Sequence, residues 1–282
     1  MVFKAFAYKP LERFKILLPI TISIMKSKKE WLFLKSFRAA KSNPGKIGLI
    51  FLFDLLFLIS FFYVFPNFGK YLAQNIPMSQ TASFAITIML LQVVYNLLVL
   101  FAYSFFKYCA LDSIKSIFQK TDFSLNRLGK FYLLNVALFL PPYIIFGFIL
   151  SGIKPQYQPY VFVSVGLILS IFLYIAINIA QSNFYQGNSI KKSIAKGFDF
   201  ALHKMEAYRE IVLVMAIFIL ALGVFLWLAG YLFNFIVTKS YTSYLITFAY
   251  FKQISIIIFD AIFYFIILVN RISFYSLAKE NQ

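Results

Sequence analysis

Six times along the chain a run of about twenty apolar residues is closed off by a shorter polar stretch. A helix rises about 1.5 Å per residue, so about 20 apolar residues cross a hydrocarbon core of about 30 Å. Read between charges, the runs predict spans over 47–65, 83–106, 131–152, 160–181, 211–235 and 253–273. Asp54 interrupts the first span, while Asp260 and Arg271 lie in the last. The start of the last span is open, because 241–251 is also apolar. The pattern predicts an all-α polytopic membrane protein. Its parts are a basic amphipathic N-terminal segment (1–46), a six-helix transmembrane domain (47–275) and a short tail (276–282).

The polar stretches alternate in charge. Lysine and arginine number 11 in residues 1–46, 5 in 107–130, 5 in 183–210 and 2 after Asn270. The intervening loops carry only Lys70, Lys154, Lys239 and Lys252. Positive loops stay on the cytoplasmic side, which puts both termini there in a cell membrane, as an even number of spans also requires. The apolar run at 16–24 is broken by Pro19 and lacks a small-residue cleavage site, so no cleavable signal peptide is expected.

The three basic stretches resemble one another. Each contains Lys-Ser before an apolar residue: Lys35-Ser36-Phe37, Lys115-Ser116-Ile117 and Lys192-Ser193-Ile194. Each leads into a pair of spans, so the plan reads as three repeats of a surface helix plus a transmembrane hairpin. In the second stretch Ala110, Leu111, Ile114, Ile117 and Phe118 share one helical face, and in the third Ile190, Ile194, Phe198, Ala201 and Leu202 do. Gly187-Asn188-Ser189 offers the third an N-cap. Such helices suit the membrane interface, with Lys35, Arg38, Lys115, Lys120, Lys191, Lys192 and Lys196 on anionic headgroups of the inner leaflet.

Composition narrows the chemistry. Hydrophobic residues make up 61 % of the 282 and charged ones 13 %, with a formal charge of +17. Because the cations lie between spans, they read as topogenic, and no nucleic-acid partner is expected. Cys109 and His203 are the lone cysteine and histidine, too few for a zinc site. No glycine-rich nucleotide loop and no His-Glu-x-x-His motif occurs, so neither cofactor nor enzymatic activity is expected.

Ionisable groups at membrane depth are costly and point to function. Asp54 and Asp260 fall at similar depth and could share a proton if spans one and six touch. The even-numbered spans carry polar stripes: Gln92, Asn96 and Tyr103; Tyr174, Asn178 and Gln181; Gln253, Asp260, Tyr264 and Arg271. Asp54, Asp260, Gln92, Asn96, Asn178 and Gln181 form a candidate intramembrane polar site, with hydrogen-bonded packing as the plainer role. Pro141-Pro142 should kink the third span and free carbonyls there.

Lys41-Ser42-Asn43-Pro44 before the first span, the amphipathic segment before the third and Gly187-Asn188-Ser189-Ile190 before the fifth resemble a loose group of six-helix archaeal and bacterial membrane proteins. The group includes the membrane domain fused to some glycerophosphodiester phosphodiesterases. The resemblance implies the fold and transfers no activity or site residue. The expected function is a non-catalytic membrane scaffold or accessory protein with a basic face towards lipid or a protein partner. The alternative is a small permease with Asp54 and Asp260 as its ion or proton site.

Overall fold

A computed structural model of the chain describes residues 31–75, 82–121, 123–236 and 241–280. Every regular element among them is helical. The order is α1 (Leu32–Lys41), α2 (Pro44–Ile59), a π-helical turn (Ser60–Val64), α3 (Phe65–Asn75) and α4 (Ala82–Phe118). Then follow α5 (Leu125–Ser151), α6 (Gln158–Tyr185), α7 (Ile190–His203), α8 (Met205–Ile236) and α9 (Tyr241–Glu280). Six helical stretches among the described residues are long and apolar enough to cross a membrane, and each contains one of the predicted spans or nearly all of it. The first thirty residues of the basic N-terminal segment, including the run at 16–24, lie outside the described residues.

Two spans extend beyond the predicted ends. The amphipathic stretch at 110–118 is no separate surface helix but the last turns of α4, which runs 37 residues. The apolar stretch at 241–251 belongs to α9, 40 residues long and so about 60 Å. Between charges a sequence shows where the apolar run stops. It does not show where the helix stops, because lysines on one face do not end a helix.

Proline acts differently at two places. Pro141 and Pro142 lie inside an unbroken α5. The irregularity is at Pro66 instead, where the lost N–H leaves the preceding turn to open into the π-helical segment before α3.

The elements pair as hairpins: α2–α3 with α4, α5 with α6, and α8 with α9. Within the hairpins ring contacts reach far along the helices, such as Phe65–Tyr95 and Phe146–Phe162. Between hairpins, burial is concentrated at the end that carries the basic stretches. Tyr108, Ile114, Phe131, Leu134, Ile179, Tyr185, Leu268 and Tyr275 are buried there. Farther along, residues such as Met89, Phe148, Ile168, Leu220 and Ile257 face outwards, as apolar spans do in lipid.

The amphipathic helices α1 and α7 turn their inner faces to this packed end. Ser189 caps α7 by accepting from the backbone N–H of Lys192 (3.4 Å). Gly187, at φ 110°, makes the left-handed turn that ends α6. On α7, Ser193 and Gly197 are buried one turn apart, and Gly197 stands against Ala176 and Ala180 of α6. A methyl group on Gly197 would stand 2.6 Å from the Ala176 carbonyl oxygen and 2.8 Å from the Ala180 Cβ. Small residues at this spacing on both helices let the backbones close, as in membrane helix pairs generally. Helix α1 packs on α9, where Phe37 meets Phe265 edge to face. Its N-terminus is capped from α8: the Leu32 N–H donates to Glu210 Oε2 at 2.9 Å.

Candidate functional site

At the packed end the even-numbered spans, α4, α6 and α9, come together, and their polar side chains, with Asn135 of α5, form neighbouring hydrogen-bonded groups. Gln181 is at the centre of the first. Its Nε2 donates to Asn135 Oδ1 (2.8 Å) and to the Tyr103 hydroxyl oxygen (3.2 Å). Asn135 Nδ2 in turn donates to Ser104 Oγ (2.9 Å). One turn away, Asn178 Oδ1 accepts from the Lys107 ammonium (3.2 Å), while its Nδ2 donates to the Tyr174 carbonyl (2.7 Å). Lys107 is only 6 % exposed.

A third group is built around Asp54 of α2. Its Oδ2 accepts from Arg271 Nη1 (2.5 Å) and from the Tyr264 hydroxyl (2.7 Å), both on α9. The acid and the guanidinium are largely buried, with side-chain exposures of 14 % and 18 %. Ion pairs of this kind tie helices together chiefly because loss of one partner strands the other. Long side chains do the bridging, helped by the edge-to-face contact of Phe51 with Tyr264.

Between α2, α4 and α9 a cleft of about 180 Å³ remains. Asp54, Tyr103, Lys107, Tyr264 and Arg271 supply its polar wall, and Phe57, Leu58, Phe106 and Ile267 its apolar wall. Two basic side chains and one carboxylate share this space, a formal net charge of +1 when Lys107 is protonated.

The predicted site residues divide between this region and the outside. Asp54, Asn178 and Gln181 meet in it, whereas Asp260, Gln92 and Asn96 do not. Asp260 faces outwards one turn beyond Tyr264, where the hairpins no longer cover α9, so the expected pairing of the two aspartates is replaced by Asp54–Arg271. Gln92 and Asn96 are exposed and hydrogen-bond to each other along α4 (3.2 Å). Lys107, read from the sequence as a topogenic charge, and Arg271, read both as topogenic and as the end of the last polar stripe, are inside the bundle. A signal for Lys107 existed: it continues the Asn96–Tyr103 stripe at a spacing of four.

The cations assigned to headgroups also divide. Lys120, Lys191 and Lys192 are exposed. Lys35 is exposed but pairs with Glu280 (3.1 Å), and Arg38 is exposed beside it on α1. Lys196 is half-buried. Lys115 stands over the Tyr185 ring, 5.5 Å from its centroid. Tyr185 donates to Asp112, and Arg127 donates to the Tyr185 carbonyl (3.2 Å), so this group of charges holds the end of α6 in place.

Comparison of the chain with protein-family models, with curated proteins and with solved structures finds no match.

Proposed function

We propose that the chain is a non-catalytic, multi-pass scaffold or accessory protein of the cell membrane, with both termini on the cytoplasmic side and a basic face that engages anionic headgroups. The observation that carries this reading is how α7 is mounted. It spends its small and apolar face, Ser193, Gly197, Phe200 and Ala201, on the protein and leaves Lys191 and Lys192 outwards. The positive-inside pattern puts these cations on the same side as Lys120 and the other basic stretches. At a negatively charged surface each lysine contributes about 1 kcal/mol. A three-unit plan fits the burial of Ser36 and Ser193 at corresponding Lys-Ser positions, where α1 and α7 meet the bundle. Ser116, within the continuous α4, is only half-buried.

The permease reading draws support from the cleft alone. Asp54 is already held by Arg271 and Tyr264, and Asp260 faces outwards, so the two carboxylates form no joint cation site.

The test is lipid selection. Purified protein is reconstituted in phosphatidylcholine containing a minor fraction of phosphatidylglycerol, and retained lipid is measured by native mass spectrometry. Enrichment of the anionic lipid is expected, with a clear fall when Lys120, Lys191 and Lys192 are replaced together by glutamine. Equal retention of both lipids by the wild type would overturn the reading.

A further inference from the structure

The cleft between α2, α4 and α9 has an imbalance that the protein alone does not resolve. Lys107 and Arg271 share a single carboxylate, Asp54. Lys107 interacts electrostatically with both, repelled by the guanidinium and attracted by the acid. Among the described residues its direct hydrogen-bond partner is the neutral Asn178 oxygen, at 3.2 Å. An ammonium has three N–H donors, and a guanidinium has five. An ammonium so buried either sheds its proton or acquires an anion.

The donors around the cleft favour the anion. Gln181 donates to the Tyr103 oxygen, which leaves the Tyr103 hydroxyl proton to point elsewhere, and Tyr103 lines the cleft. Asp54 accepts from one guanidinium nitrogen, so further Arg271 donors remain. Three donor groups, Tyr103, Lys107 and Arg271, thus border one space. Its 180 Å³ is several times the roughly 30 Å³ share of one water in the liquid, room for a small oxyanion. The apolar wall includes Leu58, which is 43 % exposed on the outer surface of the first span. A headgroup could therefore enter from the side of the bundle as well as from the basic end.

We propose that this cleft is a binding site for a phosphate-type oxyanion, held by Lys107, Arg271 and the Tyr103 hydroxyl, with Asp54 fixing the guanidinium. The anion is either the phosphate of a lipid headgroup or a free phosphate ion. The site is independent of the exterior lysines and stands or falls separately from their role.

The experiment uses the full chain in phosphatidylcholine nanodiscs, and the apparent melting temperature is followed while inorganic phosphate is titrated in. A parallel arm adds phosphatidylglycerol to the nanodiscs without phosphate. A ligand that binds the folded state raises the melting temperature as its concentration passes its Kd. A rise with phosphate identifies a free anion, and a rise with the lipid alone identifies the headgroup. Lys107→Met should abolish the rise, lowering affinity at least about tenfold, a loss typical for a charged hydrogen bond. Without anion it should melt no lower than the wild type, because it removes the uncompensated charge. Tyr103→Phe keeps every charge and should lose affinity several-fold, which decides the matter if Lys107→Met fails to fold. Lys154→Gln, an exposed cation outside the cleft and the basic face, should retain the full response. A wild type indifferent to both probes, or a response unchanged in Lys107→Met or in Tyr103→Phe, overturns the proposal.

Discussion

The charge count in the cleft predicts an asymmetry between the two halves of one ion pair. With Lys107 protonated, the wild-type cleft holds Asp54, Lys107 and Arg271, a formal net of +1. Asp54→Asn removes the only acid and leaves two cations facing each other, a net of +2. Arg271→Met leaves Asp54 with its Tyr264 donor and with Lys107 in the same space, a net of zero. Two unit charges 4 Å apart interact by about 4 kcal/mol at an effective dielectric near 20. Breaking a buried pair from one side costs about 3–5 kcal/mol, because the other charge is stranded. Asp54→Asn should reach that range, since Arg271 is stranded and repelled. Arg271→Met should cost less, by about 1–2 kcal/mol, because Lys107 takes over part of the missing role. A built-in probe reads the effect. Cys109 is the lone cysteine, is buried at 9 % exposure, and follows Lys107 by two residues on α4. A thiol-reactive fluorogenic dye in phosphate-free zwitterionic detergent therefore reports the opening of this end of the bundle. The expected order of apparent melting temperature is wild type, then Arg271→Met, then Asp54→Asn. An Asp54→Asn protein as stable as the wild type, or one melting above Arg271→Met, would refute the charge reasoning.

Two further outcomes can be read with the same dye. Gly197→Leu places a branched side chain where even a methyl meets the Ala176 carbonyl at 2.6 Å, so α7 must move off α6. Overpacking of this kind costs about 1–3 kcal/mol, and an unchanged melting temperature would show that the α6–α7 crossing contributes little. Asp260→Asn alters an outward-facing side chain beyond the packed end and should stay within about 0.5 kcal/mol of the wild type; a large destabilisation would mean that Asp260 has a partner in the folded protein.

The apolar runs by themselves determined the all-helical class and, among the described residues, the six helices long and apolar enough to cross a membrane. Desolvation forces this: a backbone in hydrocarbon has to satisfy its own hydrogen bonds, so about twenty apolar residues mean a helix wherever they occur. The cap at Ser189 was equally local, needing one hydroxyl and the turn that follows it. The polar stripes on the even-numbered spans were visible as spacing, and Asn178 and Gln181 lie where those stripes converge. Which members of a stripe are used was decided by tertiary structure. Tyr264 and Asp260 are one turn apart on α9, yet only Tyr264 lies where α2 comes within reach, so one donates to Asp54 and the other faces outwards. The roles of Lys107 and Arg271 were visible only as the ends of polar stripes, for the same reason. A cation at the end of an apolar run looks alike whether it faces water or turns inwards, and only a partner from another helix decides. Asp54 supplies that partner for Arg271 from 217 positions away, and Asn178 for Lys107 from 71. Small residues behave likewise: Gly197 carries no signal until Ala176 and Ala180 are laid against it, because a close approach belongs to two helices and not to either sequence alone.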